Sequence, residues 1–130
     1  MDQTIDLDEQ QFEQIESILD DELISLGVHT VLLVDLAGNT IVDLDAGESN
    51  IDNYSLAALS AGNFGAVNEM AEMVGEKNFS LLFHKGKKKS IHFSKVNEDL
   101  LLVIIFGNDV SLGFLRLKVA EAIKKIHDLT

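Results

Sequence analysis

Apolar and polar residues follow two different spacings along this chain. In three segments apolar side chains recur every three or four residues, which predicts α-helices with one buried face. In five shorter segments β-branched, aromatic and leucine residues form runs bounded by Gly, Asn, Asp or Lys, which predicts β-strands. In chain order, the predicted elements are a helix over residues 8–26, strands over 28–34 and 40–44, a helix over 53–74, strands over 79–84, 90–96 and 100–106, and a helix from Asp109 or Ser111 to about Asp128.

The two groups of strands predict antiparallel pairing. A turn carrying Gly38 separates the first two strands, and short polar turns separate the last three, so we expect a hairpin followed by a meander. The run at 100–106 is apolar throughout, which predicts a central strand covered on both faces. The run at 79–84 does not place its apolar residues on one face, so the register of its hairpin stays open.

The middle helix, residues 53–74, carries no charged side chain between Asp52 and Glu69. Polar residues interrupt it too often for a membrane span. On a helical wheel one stripe predicts the core face: Leu56, Leu59, Ala66, Val67, Met70 and Val74. The other side carries small or apolar groups where a surface helix would carry Lys and Glu: Ala57, Ala58, Ala61, Gly62, Phe64 and Gly65. Because each interior glycine costs about 1 kcal/mol of helix propensity, we expect a second subunit to approach this side closely.

Composition narrows the class of protein. The length of 130 residues suits one domain over residues 1–130, and the absence of cysteine excludes disulfides and thiol catalysis. The acidic N-terminus lacks the features of a secretory signal, so we expect a cytoplasmic protein. With a net charge of −12, nucleic acid is a poor partner. We interpret the acidic stripe of the first helix, Glu9, Glu13, Glu16 and Asp20, as a solubility face more than a docking site.

Motifs for catalysis, cofactors or metals are missing from the sequence. The acidic loop at 43–50 lacks the ligand spacing of a calcium loop, and the lysine-rich turn at 85–89 lacks the glycine pattern and the helix of a phosphate loop. A weak contact of that turn with an anion or a partner stays open. The four histidines are scattered, which favours structural or surface roles: His29, His84, His92 and His127. We therefore predict no catalytic, cofactor-binding or metal-binding residue and no enzymatic activity.

Three stretches together resemble the Roadblock family, which includes the roadblock-type light chains of dynein and the MglB-type prokaryotic regulators of small Ras-like GTPases. They are VLLVDLAGNTI at residues 31–41, the small-residue helix at 54–74, and the strand at 100–106 followed by SLGFLR at 111–116. Their order matches the elements predicted above, and the resemblance covers roughly residues 8–126.

The resemblance implies an α/β fold of order α-β-β-α-β-β-β-α. Its five-stranded antiparallel sheet carries the first and last helices on one face and the middle helix on the other. Family members pair through the middle helix and the neighbouring edge strand, here 79–84. The residues expected at the dimer and partner interface are Tyr54, Ala58, Ala61, Gly62, Gly65, Phe79, Leu81 and Phe83.

The function implied by the resemblance is that of a non-enzymatic homodimeric regulator or scaffold of a small Ras-like GTPase, with no cofactor. Two alternatives from other classes stay open. One is a structural dimerisation module of a larger complex, as in the dynein light chains. The other is a small-molecule sensor, which would need a cavity with converging polar groups.

Overall fold

The computed structural model describes residues 7–46, 51–77 and 82–129. Its elements follow the predicted order, with a short 3₁₀ helix at Ile24–Leu26 added before the first strand. They are α1 (Glu9–Glu22), β1 (Thr30–Asp35), β2 (Thr40–Asp45), α2 (Asn53–Met73), β3 (Leu82–Lys85), β4 (Lys89–Lys95), β5 (Leu100–Gly107) and α3 (Leu112–Leu129).

Most differences from the predicted bounds lie at the ends of elements. The first helix ends at Glu22 rather than residue 26, because the chain tightens into the 3₁₀ turn before Gly27, whose φ of 106° ends the segment. At its other end Asp8 and Gln11 form a reciprocal capping box. Ser111 caps α3 by accepting a hydrogen bond from the Phe114 N–H at 3.3 Å. Much of the predicted strand 79–84 lies outside the described residues, and β3 extends to Lys85.

The strands form one antiparallel sheet of order β2-β1-β5-β4-β3. The meander and the central position of the apolar strand β5 are therefore confirmed, and all eight of its residues are buried. The register that the sequence left open is set by the pairing of Phe83 with His92. A bulge interrupts the β1–β2 pairing between Leu33 and Val34.

The sheet lies between two layers of helices, as the resemblance implied. α1 and α3 cover one face, and α2 covers the other. The side chains of β5 alternate between the layers, with Leu102 and Ile104 toward α1 and α3, and Leu101 and Val103 toward α2. The predicted inward stripes of both outer helices are buried: Ile15, Leu19 and Leu23 before β1, and Leu115, Val119, Ala122 and Ile126 on α3.

His92 is a polar side chain inside the layer shared by β4 and α3. Its ring is 1% exposed, and its Nδ1 atom is enclosed without a hydrogen-bond partner. Burial, followed by the positive charge of Arg116, lowers the pKa of His92 from 6.5 to about 4. The ring is therefore neutral at pH 7.

We expect this histidine to make folding stability depend on pH. Between pH 6.5 and about 4 the unfolded chain binds a proton at His92 that the folded chain does not, so the free energy of unfolding falls as the pH falls through this window. The contribution amounts to about 3 kcal/mol. His92→Phe keeps a ring but cannot bind a proton, so its free energy of unfolding should fall less between pH 7 and 4.5.

Urea unfolding at the two pH values measures the difference. His84→Phe is the matched control, because it makes the same replacement at an exposed side chain on the neighbouring strand. Equal pH dependence in the His92→Phe variant and the wild-type protein would contradict the assignment.

Candidate functional site: the exposed face of α2

The start of α2 is fixed to the β1–β2 hairpin by polar contacts. Asp52 caps the helix by accepting hydrogen bonds from the Ser55 N–H at 3.1 Å and hydroxyl at 2.7 Å, which lower the pKa of its carboxyl group. The side-chain amide of Asn53 donates to Asp43 at 2.9 Å and to Asp45 at 3.3 Å. Two acids of the predicted acidic loop thus connect the start of the helix to β2.

The side of α2 that faces the sheet is built mainly of small residues. Its buried side chains are Ala57, Ser60, Ala61, Phe64 and Ala71. Phe64 is the one large member, and it packs in a cluster with sheet residues that include Leu32 and Val103. Short side chains let the helix backbone lie close to the sheet, while Phe64 fills the space that they leave.

The predicted orientation of α2 was wrong in phase. Leu59, Met70 and Val74 belong to the stripe that the sequence placed in the core, but they are exposed, and Ala57, Ala61 and Phe64 from the opposite stripe are buried instead. Both sides of the helix are apolar, so hydrophobic periodicity gave two solutions. In the structure the small residues face inward, Phe64 packs against the sheet, and Asn53 contacts β2 in this orientation.

Large apolar side chains therefore lie in solvent toward both ends of α2, a helix about 32 Å long, with small residues between them. We call this surface the α2 face; its exposed fractions are 85% for Tyr54, 72% for Leu59, 53% for Met70, 85% for Met73 and 71% for Val74. Its only charged members within the helix are Glu69 and Glu72. An exposed apolar surface of this kind is typical of a site for protein association.

The two interior glycines of α2 lie on the exposed side. A Cβ atom added at Gly62 or Gly65 would meet no atom of the described residues within 4 Å. Gly38, in the β1–β2 turn, differs, because its added Cβ would lie 3.2 Å from the Cα of Ala58 and its φ is 93°. Packing among the described residues thus accounts for Gly38 but not for the glycines of α2.

The comparison with known proteins decides the family. A sequence profile of the Roadblock/LC7 domain matches residues 16–106, which is more than half of the chain. The chain belongs to the Roadblock/LC7 family. Among curated protein sequences none matches significantly.

Solved structures of Roadblock proteins agree with this assignment. MglB of Myxococcus xanthus is 35% identical with a TM-score of 0.84, over 91% of this chain and 95% of that one. MglB of Thermus thermophilus is 24% identical with a TM-score of 0.89, over 99% and 97% of the two chains. A Roadblock/LC7 domain from Streptomyces avermitilis, 17% identical with a TM-score of 0.71 over 85% and 95%, shares the fold.

The interface residues predicted from the Roadblock resemblance fall into three groups. Tyr54, Ala58, Gly62 and Gly65 are exposed on α2. Ala61 is 6% exposed and faces the sheet, so it is not part of the α2 face. Phe83, Phe79 and Leu81 belong to the edge-strand region, and the last two lie outside the described residues.

Phe83 is not continuous with the α2 face. Its ring stacks on Phe106 with centroids 5.9 Å apart, in the layer covered by α1 and α3. The α2 side of β3 carries His84, whose ring meets Phe93 edge to face at 5.8 Å. At this edge the backbone of β3, rather than the Phe83 ring, is available for pairing with a second Roadblock domain.

Sequence reasoning missed Met73 and assigned Leu59, Met70 and Val74 to the core. One sequence signal could have indicated their exposure. Ala57, Ala61 and Phe64 are spaced as an inward helical stripe, and their spacing fits a buried face as well as that of the larger residues does. Elsewhere, no group of three or more metal-ligating side chains occurs in the described part of the chain. Within the same residues, no helix has the length and hydrophobicity needed to cross a membrane.

Proposed function

We propose that this protein dimerises through the α2 face, and that the dimer regulates or docks a small Ras-like GTPase without supplying a catalytic group. The observation that carries the proposal is the row of large apolar side chains that α2 exposes, together with two glycines that no contact among the described residues explains. The resemblance to MglB-type regulators, and the 35% identity to one MglB, support a small Ras-like GTPase as the partner.

Two copies of α2 packed against each other would bury this row. Gly62 and Gly65 would allow the two helix backbones to approach closely, which offsets their cost in helix propensity. β3 lies at the edge of the sheet, where a second strand could pair with its backbone and continue the sheet across the dimer. Tyr54 and Ala58, near the start of α2, would line the surface offered to the GTPase.

The proposed mechanism does not use an arginine finger. Arg116 is the sole arginine of the chain, and it lies on α3, the helix on the sheet face opposite α2. A lysine from the 85–89 turn lacks the planar fork that suits a phosphoryl transition state. Stimulation of GTP hydrolysis would therefore act by repositioning the GTPase's own catalytic groups against the surface that the two α2 helices build in the dimer.

The first prediction concerns self-association. Gly62→Leu should dissociate the dimer, because overpacking costs about 1–3 kcal/mol in each subunit. Light scattering at micromolar concentration should report a dimer for the wild-type protein and a monomer or aggregates for the variant.

Gly113→Leu is the matched control, since Gly113 is an exposed glycine on α3, where an added Cβ meets only the Ser111 hydroxyl at 3.8 Å. This control should remain dimeric. A monomeric wild-type protein, or equal dissociation by both variants, would contradict dimerisation through α2.

The second prediction concerns the partner. Used as a bait in native extract with a GTP analogue, the wild-type protein should capture a small Ras-like GTPase. Leu59→Glu places a charge in the α2 face, so a bait with this substitution should no longer capture the GTPase. Leu117→Glu makes the same change on α3, at a leucine that is 53% exposed, and should retain the GTPase. The proposed function would be contradicted if the wild-type bait captured no small GTPase, or if the two variant baits lost the GTPase equally.

The third prediction concerns catalysis. Since an arginine finger contributes about 10³–10⁵ in rate, we expect Arg116→Ala to keep the single-turnover hydrolysis rate of the captured GTPase within about threefold of the wild-type value. A loss of about a hundredfold or more with binding intact would show that Arg116 reaches the nucleotide. No stimulation by the wild-type dimer, despite binding, would identify a scaffold rather than an activator.

A further inference from the structure

A second surface lies on the sheet face opposite the α2 face. A cleft with a volume of about 420 Å³ runs between β4 and α3, within the size range of small-molecule sites. β4 contributes His92 and Ser94, and α3 contributes a stripe that includes Arg116, Ala120, Ile123 and Lys124. The family profile ends at residue 106, before α3 begins.

The cations on the two sides of α3 differ in whether they form ion pairs. Toward α1, Lys118 and Lys125 form ion pairs with Glu22, at 3.7 and 2.5 Å. Toward the cleft, Arg116 and Lys124 take part in none of the ion pairs or hydrogen bonds found among the described residues. In a chain with 22 acids and 10 bases, the cleft therefore holds two cations that no described acid pairs with.

The floor of the cleft adds uncharged polar groups. His92 is almost completely buried and its Nδ1 lacks a partner, which is unusual because buried polar atoms are nearly always hydrogen-bonded. Ser94 adds a hydroxyl group beside it. Ala120 and Ile123 give the helix side an apolar stretch next to these groups. This is the set of converging polar groups on an apolar wall that a small-molecule site needs.

We propose that this cleft binds a small organic oxyanion, a carboxylate or a phosphate monoester that carries a short apolar group. The guanidinium of Arg116 would bind two oxygens of the anion through its planar fork, and Lys124 would add charge. The apolar group would lie along Ala120 and Ile123. The protein would then act as a ligand-responsive regulator, with the sensor site and the α2 face on opposite sides of one sheet.

Binding is tested with ¹⁵N-labelled protein and two probes, hexanoate and hexyl phosphate, which separate the two sources of the oxyanion. At least one probe should produce saturable shifts of the backbone amides in β4 and in residues 116–127. Arg116→Gln and Lys124→Gln should each weaken the binding of that probe. For Arg116→Gln the affinity should fall by about tenfold or more, since a charge-assisted hydrogen bond is lost. Lys88→Gln, the same charge change at an exposed lysine outside the cleft, should change the affinity by less than about twofold.

The imidazole of His92 provides a second readout. An anion at Arg116 offsets the positive charge that helps to lower the pKa of His92, so hexyl phosphate, which keeps a negative charge at this pH, should raise that pKa from about 4. The rise should be smaller in the Arg116→Gln variant.

Four results would overturn the proposal. The first is that neither probe produces saturable shifts in the cleft. The second is that hexanol binds as tightly as hexyl phosphate. The third is that inorganic phosphate binds as tightly as both organic probes. The fourth is that Lys88→Gln weakens binding as much as the cleft variants do. If Arg116→Gln fails to fold, Lys124→Gln and the His92 titration of the wild-type protein still decide the question.

Discussion

The central strand β5 must be covered on both faces, and the layers of this fold follow from that requirement. All eight of its residues are buried, and each large aliphatic side chain contributes about 1.5–3 kcal/mol when it leaves water. One layer of helices would leave half of these side chains exposed. α1 and α3 therefore cover one face together, whereas the other face depends on α2 alone.

The way in which α2 meets this requirement creates the candidate interface. Small residues around Phe64 let the helix lie close to the sheet and cover Leu101 and Val103. The larger residues of the same helix, Leu59 and Met70 among them, are then left on the outside. The contact that completes the core of this Roadblock domain thus leaves an apolar surface exposed.

Charge is distributed so that the two candidate surfaces differ in chemistry. The α2 face is apolar and lies next to a helix start whose acids are already used as a cap and as anchors. The opposite face has the acidic α1, and Glu22 of α1 pairs with Lys125 of α3. The hydrogen bond between them lowers the pKa of Glu22 and raises that of Lys125. With those cations paired, the cations of α3 that form no ion pair with another described residue, Arg116 and Lys124, lie on its cleft side.

Sequence alone determined the parts of this protein whose patterns have a single solution. The element order, the central position of β5, and the buried stripes of α1 and α3 were predicted because a one-sided amphipathic pattern, or a run that is apolar throughout, allows one placement. The family resemblance followed from the same stretches, and the family comparison confirmed it.

Only the tertiary structure decided the rotation of α2 and the existence of the cleft. α2 is apolar on both sides, so periodicity could not choose between them, and the choice shows only in the packing of Phe64 and Ala57 against the sheet. His92 and Arg116 have no motif in common, and they come together because β4 and α3 pack on the same face of the sheet. A site assembled from distant segments by packing leaves no local pattern in the sequence, whereas a buried strand does.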